Sequence, residues 1–101
     1  MLSTQDILNY LEANKPFFRQ KYFVDKIAII GSYARGDYNN DSDIDLLVYF
    51  LSDAKDNRIF RLYINLQKDI SSHFNKSVDI IANGKVVPAF KEIIEKEAIY
   101  V

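Results

Sequence analysis

The eight residues Ile44 to Leu51, IDLLVYFL, constrain the fold more than any other stretch of the chain. They read as its strongest β-strand, rich in β-branched, aromatic and aliphatic side chains. Side chains alternate between faces along a strand, so Ile44, Leu46, Val48 and Phe50 share one face, which must be core. Asp43 and Asp45 then share the other, with Cα atoms roughly 6.5 Å apart. A second apolar run, Val24 to Ile30, is broken only by Asp25 and Lys26 and stops at Gly31, which favours a buried strand. Val78 to Ala82 (VDIIA) reads as a third strand, ended by the Asn83-Gly84 turn signal.

Helices fill the intervals. Ser3 can cap a first helix, with Asp6 three residues on as a variant capping box. Ile7, Leu8, Leu11 and Tyr10 supply its apolar stripe, and Pro16 is expected to end it, because the residue before proline avoids helical angles. Phe17, Phe18, Tyr22 and Phe23 are expected to form a separate short helical piece. Asp56 to Phe74 is a long amphipathic helix, with Ile59, Tyr63, Leu66, Ile70 and Phe74 on one face. Pro88 suits the first turn of a last helix, whose Phe90, Ile93, Ile94 and Ala98 are expected to face inward. The fold class expected is α/β (α+β): a small mixed sheet with helices packed on it, as one domain over residues 1–101.

Composition excludes several functions. The chain has 13 Lys+Arg against 14 Asp+Glu, without the basic excess of a sequence-independent nucleic-acid binder, so no direct nucleic-acid binding is expected. There is no Cys, hence neither a disulfide nor a Cys-ligated zinc site. No apolar run approaches the ~18 residues needed to span a membrane, and the N-terminus lacks a basic segment followed by an apolar one. A cytoplasmic domain is the expectation.

The chemistry concentrates in residues 31–45, GSYARGDYNNDSDID, where four carboxylates fall beside the most hydrophobic segment. Like carboxylates as close as Asp43 and Asp45 repel unless a cation lies between them or one is protonated. Hard divalent ions prefer oxygen ligands, and Mg²⁺ commonly takes one or two carboxylates together with phosphate oxygens. Asp79 interrupts the third strand and joins the pair if that strand lies beside the second. Three carboxylates can hold two Mg²⁺ ions about 3.5–4 Å apart, the clamp for in-line attack at phosphorus. Gly31 lets a phosphate approach the backbone, and Ser32 adds a hydroxyl, either as a helix cap or facing phosphate. Arg35 either contacts phosphate or pairs with Asp37 or Asp41. Asp37, Asn39, Asn40 and Asp41 read as loop residues. Gly31-x4-Gly36 is no P-loop, since Asp37 replaces the lysine, and Asp37-x-Asn39-x-Asp41 is no EF-hand loop, since Ser42 replaces the glycine. His73 and Lys85 are assigned no chemistry.

GSYARG followed by SDIDLLV resembles the nucleotidyltransferase superfamily of the DNA polymerase β type: Gly-Ser, about ten residues, Asp-x-Asp, and a third Asp on a later strand. Here these are Gly31, Ser32, Asp43, Asp45 and Asp79. Size and the ending IYV further resemble the minimal nucleotidyltransferases, the MntA-type antitoxins. The resemblance implies a polymerase β-like fold, ATP as substrate, Mg²⁺, and a HEPN-domain, RNA-cleaving toxin as partner, silenced by transfer of AMP to one of its tyrosines. The toxin's own signature is absent, because His73 is followed by Phe74-Asn75. The alternatives are an antibiotic-type enzyme acting on a small molecule, and an antitoxin that masks its toxin without chemistry.

Overall fold

In the computed structural model, which describes residues 1–51, 56–83, 85 and 88–101, the first helix, α1, spans Thr4–Tyr22. Ser3 Oγ accepts from the Asp6 amide at 3.1 Å, and the Asp6 carboxylate accepts from the Ser3 amide at 3.0 Å, closing the expected box. Pro16 does not end this helix. It lies inside it, and the separate piece expected from Phe17 onward is the continuation of α1. The reason is tertiary: Ile7, Leu11, Phe18 and Tyr22 fall on one buried face, and only an unbroken helix holds all four against the sheet. The hydrogen bond that Pro16 cannot make would have gone to the Glu12 carbonyl, and both residues lie on the exposed side, which lowers the cost of losing it. Phe23, at φ 57°, closes the helix with its amide on the Arg19 carbonyl at 3.1 Å. Pro16→Ala should therefore raise stability by about 1–2 kcal/mol, since the lost bond is restored on an exposed face. Calorimetric unfolding checks this, and an unchanged or lower melting temperature would show that the proline shapes the core contact.

The remaining elements are β1 (Val24–Ile30), α2 (Ser32–Arg35), β2 (Ile44–Phe50), α3 (Asp56–Phe74), β3 (Val78–Ala82), α4 (Pro88–Glu97) and β4 (Ile99–Tyr100). The second strand stops one residue before Leu51, and β4 has no counterpart in the sequence reading. The sheet order is β3-β2-β1-β4. The β1/β2 and β1/β4 pairs are antiparallel, and β2/β3 is parallel, with α3 as the crossover. Asn83 closes the parallel pair, its amide on the Val48 carbonyl at 2.7 Å and its side chain accepting from the Phe50 amide at 2.9 Å. Its turn partner Gly84 lies outside the described residues. A register shift between Val24 and Lys26 makes a bulge at the polar interruption noted in the sequence, and Asp25 pairs there with Arg19 at 3.5 Å.

The two faces of the sheet differ. Ile27, Ile29, Ile44, Leu46, Val48 and Val78 meet α1 and α3 in the main core, joined by Leu62, Leu66 and Ile70. Ala28, Ile30 and Leu47 form a smaller cluster on the other face, covered by Ile94 and Ala98. Here the expectation for the last helix is half right. Ile94 and Ala98 pack inward, whereas Phe90 and Ile93 remain 57% and 58% exposed. The cluster beneath α4 is small, so one Ile-Ala row covers it, and the adjoining β4 fixes how the helix rolls. Among the described residues no helix is long and apolar enough to cross a membrane.

Candidate active site

Gly31 follows the last residue of β1 and holds φ 74°, ψ −150°, a conformation that side chains other than hydrogen rarely allow. Ile30 pairs with Asp45 across the sheet, so Gly31 runs directly past that carboxylate. A Cβ on Gly31 would collide with Asp45 Oδ2. The close approach thus explains why glycine, and not merely a turn residue, stands there. After it the chain makes one helical turn, α2, with the Ala34 and Arg35 amides on the Gly31 carbonyl at 3.0 Å each. Tyr33 anchors the turn: its side chain is buried and stacks on Tyr38 at 4.4 Å, and its carbonyl accepts from Thr4 Oγ1 at 2.6 Å. Ser32 is not the helix cap; Gly31 holds that position without a side-chain bond, and Ser32 is the first helical residue.

Asp45 lies in register with Asp79 on the neighbouring parallel strand, so the two carboxylates share a sheet face. Asp43 immediately precedes β2 on the same side. Its loop is built by Asn39, whose side chain accepts from the Asp41 amide at 2.8 Å, and by Lys76, which donates to the Asn40 and Ser42 carbonyls at 2.8 and 2.9 Å. These contacts give the Asn and Asp residues of that loop structural roles. Burial pushes the Asp45 carboxyl above its ordinary range, and the negative charges of Asp79, Asp43 and Glu97 push it further, against the pull of Arg35. Asp43 and Asp79 are exposed. The three acids share one face and one another's field, but among the described residues no three acidic or histidine side chains are gathered into a ready metal cage.

Arg35 takes the ion-pair alternative in part. Its Nε donates to Asp37 at 3.1 Å and its Nη1 to Glu97 at 3.3 Å, while Asp41 is not among its partners. Glu97 also accepts from the Gly31 amide at 2.9 Å. Glu97 carries no motif that singles it out in the sequence. The available signal was an acid in the last turn of a helix, where negative charge is disfavoured. His73 stacks on Tyr10 at 4.0 Å and serves packing. Lys85 is exposed beyond β3. A depression of about 390 Å³ between α3 and β3, lined by Ile59, Phe60, Tyr63 and Ile80 among others, contains none of the acids.

Sheet order, crossover and the glycine turn beside in-register aspartates define a class, that of nucleotide-transferring enzymes built on a small mixed sheet. The nucleotidyltransferase domain family matches residues 11–101. A candidate protein adenylyltransferase of Methanocaldococcus jannaschii is 34% identical over 102 aligned residues that cover 100% of both chains. The chain belongs to the nucleotidyltransferase domain family, and its full-length relatives there are named as protein adenylyltransferases. The solved structure of a candidate minimal nucleotidyltransferase superposes with TM-score 0.76 at 24% identity, covering 97% of this chain and 95% of that one. An MNT antitoxin in complex with the tri-AMPylated HEPN toxin of Shewanella oneidensis gives TM-score 0.59 at 17% identity, covering 91% and 69%. Both structures are similar in fold.

Proposed function

We propose that this chain, acting in the cytoplasm, transfers AMP from ATP to a tyrosine hydroxyl of a HEPN ribonuclease toxin and so silences it. The observation that carries the reading is the Asp45–Asp79 register beside Gly31, in a chain that aligns end to end with a protein adenylyltransferase. The HEPN partner is supported by the toxin complex that shares the fold.

The residues fit Mg²⁺. The donor set is oxygen only, as hard divalent ions prefer, and burial first, then the neighbouring acids, raise the Asp45 carboxyl above its ordinary range, which a bound cation would offset. Asp43, Asp45 and Asp79 would hold the metal, which when bound neutralises charge on the phosphates and the attacking oxygen. The chain's own groups do the rest. Ser32 Oγ and the turn after Gly31 orient the triphosphate. The acceptor oxygen forms a bond to the α-phosphorus, the bond to pyrophosphate breaks, and the Asp79 carboxylate takes the hydroxyl proton.

The test is the mass of the partner encoded alongside, after incubation with ATP and Mg²⁺. Gain in whole AMP units is expected, whereas an unmodified but inhibited toxin would support masking, and a modified small molecule the antibiotic-type alternative. Asp79→Asn should bind ATP nearly as well as the parent and slow transfer by roughly a hundredfold or more, because the base is lost and ground-state contacts remain. Parallel loss of ATP affinity and transfer would make Asp79 a nucleotide ligand and end its acceptor-side role.

A further inference from the structure

The geometry points to Glu97 as an internal competitor for nucleotide: its carboxylate holds the Gly31 amide and the Arg35 guanidinium, and a nucleoside triphosphate displaces it to reach them. This inference rests on the reading of the Gly31-Ser32 turn as the triphosphate end of the site.

Two oxygens of one carboxylate meet two donors, the Gly31 amide at 2.9 Å and Arg35 Nη1 at 3.3 Å. A phosphate group presents two oxygens to an arginine and an amide in the same manner. The Glu97 side chain is only 15% exposed, whereas Arg35 remains half-exposed, so the carboxylate occupies the donors from the inner side and leaves the guanidinium open to solvent. The hold is nevertheless poorly supported from elsewhere. Glu97 is the last residue of α4, where the free carbonyls of the helix repel a negative charge. It also shares the field of Asp45, Asp79 and Asp43, which is visible in the upward push on Asp45. What keeps it there is the pair of donors that a more highly charged phosphate would take.

The consequence is quantitative. Nucleotide binds with its intrinsic affinity reduced by the fraction of molecules in which Glu97 has let go. Removing the carboxylate removes that reduction and one repelling charge together. A role confined to bracing the turn has the opposite sign, because an unbraced Gly31 would bind phosphate worse.

The experiment measures binding of a non-hydrolysable ATP analogue, and of inorganic tripolyphosphate, to the parent chain, Glu97→Gln and Glu97→Ala by calorimetry with Mg²⁺ present. Both variants should bind both probes about tenfold tighter. Glutamine keeps an oxygen for the Gly31 amide, and alanine covers the case in which that oxygen still obstructs. A measurement on the parent alone guards against variants that do not fold: the Glu97 side-chain carboxyl carbon, followed by NMR, should move toward the position of a solvated glutamate as tripolyphosphate saturates. Binding by the parent with equal or weaker binding by both variants, or an unmoved Glu97 signal at saturation, overturns the competitor role and leaves the nucleotide reading standing. Absence of binding in all three proteins overturns both.

Discussion

Asp45→Asn should abolish nucleotidyl transfer and, in the same protein, raise thermal stability at neutral pH. The first effect follows from the assigned role: a ligand carboxylate at the centre of the acid group becomes a neutral amide, and a fall of roughly a thousandfold or more is expected. The second follows from the cost of keeping that carboxylate. Burial first, then Asp79, Asp43 and Glu97, hold its folded pKa above the ordinary value of 3.8. A carboxyl whose pKa is raised by folding stabilises the fold when protonated, and that contribution is lost as pH rises through the folded pKa. Asparagine carries no charge at any pH. The stability gap between variant and parent should therefore be open at neutral pH and close as pH falls below 3.8. Melting curves taken with a chelator across the acid-to-neutral range, beside partner mass shifts, read both effects. Retained transfer would remove Asp45 from the machinery; a variant that melts below the parent at neutral pH would mean that the carboxylate is a net stabiliser despite burial and repulsion.

Gly31→Ala should be as damaging to transfer as the loss of Asp45 itself, and should lower stability as well. The added Cβ meets Asp45 Oδ2 in collision and lies 3.2 Å from both Cβ and Cγ of that residue. Backbone strain at φ 74° adds about 1–3 kcal/mol. Gly36 supplies the control. It too has positive φ, at 88°, but a Cβ there would meet nothing within 4 Å. Gly36→Asn places a residue tolerant of that conformation in open space, and should cost little stability and leave transfer intact. If Gly31→Ala transfers AMP as well as Gly36→Asn, the tight pass between the glycine turn and Asp45 is not needed for the chemistry.

Much of this was legible beforehand because it rests on local pattern. Val24–Ile30, Val78–Ala82 and Asp56–Phe74 appear with the bounds that their periodicity implies. The alternation of IDLLVYF places Ile44, Leu46, Val48 and Phe50 in the core and Asp45 opposite, with Asp79 brought alongside by the parallel pairing. What remained illegible depended on partners distant in the chain. Proline at position 16 carries a strong local signal for a helix end, and it loses to four buried side chains that only the finished sheet can collect. Ile99 and Tyr100 are too few to announce a strand, and they become one because β1 offers Ala28 and Ile29 an open edge.

By itself, then, the sequence determined the strand-and-helix order around the carboxylates, the face on which Asp45 stands, and the family. Those features follow from side-chain alternation and from residues close together in the chain. Only the tertiary structure decided how the last fourteen residues are used. β4 pairs beside β1, α4 leaves Phe90 and Ile93 outside, and Glu97 comes to rest on Gly31 and Arg35. Glu97 is more than sixty residues from either partner, and no local preference of a helix-ending glutamate favours that contact. It exists because edge pairing of the backbone delivers α4 to the open face of the sheet, where an amide and a guanidinium can offset a charge that the helix end and the neighbouring aspartates repel.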